Sequence, residues 1–125
     1  MASACIRRAR GQVPGASALR ETIDALALGD RDVARDVTSM LIDTNRAALR
    51  FMTAARESDA WDDLGRATHR LAGSLCMLQC RLEIALAGTL ERAARAHDAS
   101  AVDALLPCVT LAIHRLNECL GELLV

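Results

Sequence analysis

The chain has 125 residues, of which 52% are hydrophobic and 25% are charged, and this size predicts one domain with a single core. Fifteen basic residues against sixteen acidic ones leave a net charge of −1, which excludes the basic surface of a nucleic-acid-binding protein. The sequence contains no unbroken run of about 18 apolar residues, so we predict no membrane-inserted segment.

The N-terminal stretch, residues 1–17, shows no sustained periodicity and is predicted to be a flexible linker or tail. It has no apolar signal segment, so the five cysteines are expected to be reduced thiols in a cytoplasmic protein. A short helix is predicted from Ser17 to Leu28, ended by Gly29, within a helical domain that covers residues 18–125. Its predicted core residues are Leu19, Ile23 and Leu26.

Asp30 is predicted to cap a long second helix with the sequence "RDVARDVTSMLIDTNRAALRFMTAARE". Apolar and small residues recur in it at steps of three and four, which indicates the buried stripe of a bundle helix. The predicted stripe consists of Val33, Val37, Met40, Leu41, Thr44, Ala48, Phe51 and Ala55.

Three more helices are predicted in the rest of the chain. One runs from Ser58 or Asp59 to Leu78, the next covers residues 82–96, and the last follows a cap at Asp98 or Ser100. Pro107 is expected to kink that last helix or to break its first turn. Short loops between long helices make neighbours antiparallel, so the fold class is all-α: an up-down four-helix bundle with a short additional N-terminal helix. The predicted core residues are Trp61, Leu64, Leu71, Leu75 and Leu78, then Leu82, Leu86, Leu90 and Ala93, then Val102, Leu105, Val109, Ile113, Leu116 and Leu120.

The stretch "THRLAGSL", residues 68–75, places a histidine and a glycine on the outer side of the third helix. With Leu64 at the centre of the buried face, His69 lies about 140° and Gly73 about 180° away from it. Gly65 precedes His69 by one turn and Gly73 follows it by one turn, although a glycine inside a helix costs roughly 1 kcal/mol relative to alanine. The pattern predicts an exposed imidazole with space beside it for a bulky partner.

An exposed neutral imidazole is a nucleophile that could accept a phosphoryl group from another protein. Such a transfer needs mainly positioning and charge neutralisation, and the partner can supply the metal ion. The same geometry also describes an ordinary surface histidine with two glycines that have no role. The residues alone leave both interpretations open.

The segment "HRLAGSL" resembles the signature of histidine-containing phosphotransfer (HPt) domains. That signature has a histidine, an apolar residue two positions on, a glycine four on and a small residue five on. The resemblance continues in "LALGDRDVARDVTSMLIDTNRAAL" and in "LAGTLERAAR", which contains Leu90 and Glu91, and it covers residues 19–123. The chain as a whole is similar to the C-terminal module of unorthodox and hybrid sensor histidine kinases.

The resemblance implies a phosphorelay carrier with His69 as phosphoryl acceptor and Gly73 as the residue that clears space. The implied partners are response-regulator receiver domains, with Mg²⁺ bound to the receiver and no cofactor bound by this domain. No independent catalysis, no nucleic-acid partner and a monomeric isolated domain are expected. The implied location is the cytoplasm, where the domain could form the cytoplasmic end of a membrane-bound sensor kinase.

Two positions depart from the family's pattern. The family often has a lysine three residues after the histidine, where this chain has Ala72, and a glycine ten residues after it, where this chain has Gln79. Arg66 and Arg70 are the candidates to replace the lysine. The expected phosphoryl and docking face therefore consists of Gly65, Arg66, Arg70, Ala72 and Gly73. The departures keep an alternative in view, an HPt-like interaction module that is not phosphorylated.

A metal site is the weaker rival. Cys76 and Cys80 follow His69 on the same helix, but no fourth ligand completes a zinc set at the usual spacings, so no metal is predicted. His97 and His114 are interpreted as cap or surface residues. The sequence also lacks the inward-facing Glu and Glu-x-x-His set of a metal-binding bundle.

Overall fold

The computed structural model describes residues 15–125, and these form five helices. The part of the predicted tail before residue 15 lies outside the described residues, whereas residues 16 and 17 are helical. The helices are α1 (Ala16–Leu26), α2 (Arg31–Glu57), α3 (Trp61–Met77), α4 (Arg81–Arg95) and α5 (Ala99–Glu122).

Helices α2 to α5 form a four-helix bundle in which each helix packs against its sequence neighbours and α5 closes against α2. Helix α1 lies against α2 and α5 and buries Leu19 and Ile23, whereas its predicted core residue Leu26 is 42% exposed. No strand occurs between residues 15 and 125. The predicted all-α fold, a bundle with one short additional N-terminal helix, is confirmed.

Four helices end with a residue in the left-handed conformation, with φ between 53° and 58°. The N–H of the next residue then donates to the carbonyl oxygen five positions back, as Cys80 does to Leu75, and this bond closes the helix. These left-handed residues are Leu28, Asp59, Gln79 and His97. Such compact stops make the loops short and the neighbouring helices antiparallel.

The predicted limits of α2 are confirmed, because the helix runs from Arg31 to Glu57. At its start the Asp30 side chain accepts hydrogen bonds from the backbone N–H groups of Asp32 and Val33. The predicted start of α3 is wrong: Ser58 and Asp59 belong to the end of α2, and α3 begins at Trp61. Of the two predicted caps, Asp98 is the one that caps α5. Helix α5 continues through Pro107, so the first turn is not broken there, and the alternative of a kink stays a prediction.

The predicted core stripe of α2 is rotated away from the observed one. Leu41 and Ala55 are buried, but Val33, Met40, Thr44 and Phe51 are exposed. The observed stripe contains two polar residues, and apolar periodicity does not detect these. Thr38 donates to the Ala34 carbonyl at 2.7 Å, and Asn45 donates to Asn117 of α5 at 3.0 Å. The buried residues of α2 are Thr38, Leu41, Ile42, Asn45, Leu49, Met52 and Ala55.

The α4 stripe is also rotated relative to the prediction. Leu82 and Leu86 are half-buried, and Glu83 is only 1% exposed. Neither carboxyl oxygen of Glu83 has a hydrogen-bond partner among the described residues. Burial raises the pKa of Glu83, and the polar backbone of the same residue opposes this rise only in part. The core therefore contains a carboxyl group that binds its proton more tightly than an exposed one.

Helix α5 is long and apolar enough to cross a membrane by length and composition alone, with a mean hydropathy of 1.3 over its most apolar window. A search for an unbroken apolar run misses it. Core helices of bundles meet the same criteria, and α5 buries eight side chains against the other helices, among them Val109, Ile113 and Leu116. Its composition is thus weak evidence for membrane insertion.

Candidate functional site

His69 lies in the middle of α3 with its side chain 72% exposed. Leu64, Leu71 and Leu75 fill the opposite side of the helix and are almost completely buried. Packing of that apolar side fixes the rotation of α3, and the imidazole therefore lies on the outer surface.

Glu91 of α4 contacts the His69 ring, with 3.2 Å between Nδ1 and Oε1. The Glu91 side chain is 19% exposed, and its second oxygen accepts a hydrogen bond from Nε of Arg95 at 2.9 Å. Partial burial raises the pKa of Glu91, but the hydrogen bonds from Arg95 and His69 outweigh it and the net effect is a lowered pKa. Glu91 is thus an ionised acceptor at neutral pH.

An ionised acceptor at Nδ1 selects the imidazole form that carries its proton there. In the neutral ring, the other nitrogen, Nε2, then holds an unprotonated lone pair. It has no hydrogen-bond partner within residues 15–125. The geometry therefore presents Nε2 as the nucleophilic atom of an exposed histidine.

The two glycines beside His69 have different surroundings. A Cβ added at Gly73 would have no neighbour within 4 Å, so the expected space on this side is present. Gly65 is buried, and a Cβ there would lie 3.4 Å from Cγ of Arg95. The space above Gly65 is therefore occupied by an arginine of the same chain, contrary to the sequence expectation.

The remaining predicted site residues differ in their exposure. Arg66 and Arg70 are exposed on the His69 surface, with Arg66 bound to Asp63 at 2.9 Å. Ala72 is half-buried and packs against the hydrophobic core. Sequence reasoning missed Arg95, and it used Glu91 only as part of a family resemblance. The antiparallel arrangement of α3 and α4 would have been the signal for both.

An apolar groove runs between α2 and α3, next to the histidine. Its volume is about 320 Å³, and it includes Arg70, which follows His69 in the chain. Phe51, 47% exposed, lies in this groove, and Met40 and Met77 are exposed large hydrophobic residues of the same two helices. The lining residues are Thr44, Ala47, Ala48, Phe51, Ala67, Arg70, Leu71 and Ser74.

Within residues 15–125, the other histidines and the cysteines form no comparable site. Cys76 is exposed while Cys80 is buried, and burial together with the Glu83 charge raises the pKa of the Cys80 thiol to about 12. No group of three His, Cys, Asp or Glu residues in the described part of the chain could hold a metal ion. The His97 ring stacks on the Trp61 ring with 5.6 Å between the ring centroids, and His114 is exposed on α5.

Comparison with known proteins agrees with this geometry. The family model of the Hpt domain matches residues 36–124, from the second turn of α2 to the end of the bundle. No curated protein and no solved structure gives a match. Hpt domains transfer phosphoryl groups in two-component signalling and interact with receiver or response-regulator domains. The matched segment covers most of the chain and includes His69, Glu91 and Arg95, and the chain belongs to the Hpt domain family.

Proposed function

We propose that the domain is a phosphorelay carrier in which His69 accepts a phosphoryl group from a receiver-domain aspartate and passes it to a response regulator. The observation that supports this most strongly is the hydrogen bond between His69 Nδ1 and Glu91 on a ring that is 72% exposed. It leaves the accessible nitrogen, Nε2, unprotonated and available for attack.

In the proposed step, the Nε2 lone pair attacks the phosphorus atom of an aspartyl phosphate. The new P–N bond forms as the P–O bond to the aspartate breaks, and that carboxylate leaves with the bonding pair. The imidazole gains positive charge, and the ionised Glu91 carboxylate stabilises this charge through Nδ1–H. Transfer to a second receiver reverses these changes.

The domain itself is expected to bind no cofactor, and Mg²⁺ is supplied by the receiver. The receiver would lie over the open side of His69, above Gly73, and would cover the apolar groove that contains Phe51. Arg70 lines that groove and has no ion pair among the described residues, whereas Arg66 is held by Asp63. Arg70 is therefore the better candidate to neutralise the phosphoryl group where the family has lysine.

An alternative function is an Hpt-like interaction module that docks a receiver without accepting phosphate. Ala72 favours it, since this half-buried alanine places no cation at the position of the family's lysine. Docking through the groove would be the same in both cases. Only the chemistry at His69 distinguishes them.

The test is transfer from a receiver domain charged with a small phosphodonor and Mg²⁺. The expected product is an acid-labile, base-stable phosphate on this protein, absent from His69→Gln and present on His114→Gln. The second variant is the matched control because His114 is also exposed on a helix. Equal labelling of wild type and His69→Gln, or no labelling of wild type by the receivers tested, contradicts the carrier function.

A further inference from the structure

Arg95 occupies the surface that Gly65 leaves vacant, one turn from the histidine. Helices α3 and α4 are antiparallel, so Gly65 faces Arg95 and His69 faces Glu91, one turn further along each helix. A Cβ at position 65 would lie 3.4, 3.8 and 3.9 Å from Cγ, Cζ and Nε of Arg95. A side chain larger than alanine there would enter the volume of the guanidinium group.

The same guanidinium group holds Glu91. Its Nε donates to Oε2 at 2.9 Å, while Oε1 contacts Nδ1 of His69 at 3.2 Å. With both oxygens engaged, the carboxylate has one orientation, and this orientation fixes the ring plane and the protonated nitrogen of the histidine. A carboxylate held only by the imidazole would rotate about its side-chain bonds.

We propose that Arg95, seated over Gly65, is a positioning residue that acts through Glu91 to keep the nucleophilic form of His69. The proposal rests on the proposed carrier function. It gives Gly65 a role that differs from that of Gly73: Gly73 leaves space for a visiting domain, and Gly65 leaves space for an arginine of this chain. No hydrogen bond or ion pair joins Arg95 directly to His69 among the described residues, so Arg95 reaches the histidine through Glu91.

The test uses three variants: Arg95→Met, Gly65→Leu and the double variant that combines these two changes. Each is compared with a control variant, Arg92→Met. Arg92 is the matched control, an exposed arginine of α4 that is bonded to Thr89. Two measurements are made: the ¹⁵N NMR spectrum of the His69 ring in the isolated protein, which reports the protonated nitrogen, and the rate of phosphoryl transfer. Circular dichroism confirms that each variant is folded.

Wild type and Arg92→Met are expected to carry the neutral-ring proton on Nδ1. In Arg95→Met and in Gly65→Leu the two neutral forms should mix, and transfer should slow by about 10–100-fold, by analogy with residues that orient metal-binding histidines. The double variant should be no slower than the slower single variant, because both changes remove the same contact. Arg95→Lys, which can still donate to Glu91, should restore most of the rate.

An unchanged ring spectrum in Arg95→Met overturns the proposal. So does a double variant whose losses multiply, since Gly65 would then act on docking and independently of Arg95. Should wild type accept no phosphate from any receiver, the carrier function fails. The ring spectra of the isolated variants still decide the positioning role in that case. If Gly65→Leu does not fold, Arg95→Met and Arg95→Lys decide it alone.

Discussion

Replacing Gly73 by leucine should stabilise the protein and slow it as a carrier. Gly73 is exposed inside α3, and nothing lies within 4 Å of an added Cβ, so the substitution meets no steric obstacle in the fold. Leucine is favoured over glycine in a helix interior by roughly 0.5–1 kcal/mol. For a domain of this size, that gain corresponds to a melting temperature higher by roughly 2–5 °C.

The effect on transfer should have the opposite sign. Leucine adds four carbon atoms one turn from the imidazole, on the side where the receiver would approach. Displacing reacting groups by about 1 Å can cost about 100-fold in rate, so we expect transfer to slow at least tenfold. The measurements are the free energy of unfolding by denaturant and the time course of transfer from a charged receiver.

Gly121→Leu is the matched control, because a Cβ at Gly121 also has no neighbour within 4 Å and the residue lies in the last turn of α5. It should transfer at the wild-type rate. A stable Gly73→Leu that transfers at the wild-type rate would refute the argument that Gly73 leaves space for a partner. Loss of helicity in the same variant would refute the inference that the position is unobstructed.

Three further predictions concern the turn, the core and the groove. Gln79→Gly should raise the free energy of unfolding by about 1 kcal/mol in denaturant titrations, because a non-glycine residue in the left-handed region carries a cost of this size. Glu83→Gln should be more stable than wild type at neutral pH but not at pH 4, as measured by unfolding at several pH values. Phe51→Ala should raise the receiver concentration for half-maximal transfer about fivefold, with the maximal rate unchanged, because docking would bury the exposed 47% of this ring, worth about 1 kcal/mol.

The sign for Glu83 follows from the direction of its pKa shift. Burial raises the folded pKa above the ordinary value of 4.5, so the folded protein binds this proton more tightly than the unfolded chain. The stabilisation that this tighter proton binding gives the folded protein is complete below the unfolded pKa. It is lost as the pH rises through the folded pKa. Glutamine does not ionise, and the stability difference between variant and wild type should therefore grow with pH. A pH-independent difference would contradict the burial argument.

The predictions for Gln79→Gly and Phe51→Ala would each be contradicted by a different result. An unchanged or lower stability of Gln79→Gly would mean that glutamine makes a compensating contact in the turn. Normal half-saturation by Phe51→Ala, or a lower maximal rate with normal half-saturation, would separate the groove from docking. Thr53→Ala is a control for the groove variant, since Thr53 lies on the same helix outside the groove and bonds only its own helix at Leu49.

The outward position of His69 could be predicted from the sequence because α3 has a regular apolar side around Leu64, Leu71 and Leu75. The limits of α2 could be predicted because Asp30 is a standard cap. The rotation of α2 could not, since its buried stripe includes Asn45, a polar residue whose hydrogen-bond partner, Asn117, lies on a helix distant in sequence. An apolar pattern therefore placed Phe51 in the core, whereas it lines the groove beside the histidine.

The contacts of His69 depend on the register of α3 against α4, and the turn between them sets that register. Gln79 takes the left-handed conformation, and the N–H of Cys80 returns to the Leu75 carbonyl, so α4 starts at a fixed rotation. One residue more or fewer in this turn would rotate α4 by about 100° and move Glu91 away from His69. Sequence reasoning could recognise the family's glycine at this position but not its consequence. A residue ten positions from the histidine thus helps to determine which side chain meets its Nδ1 atom.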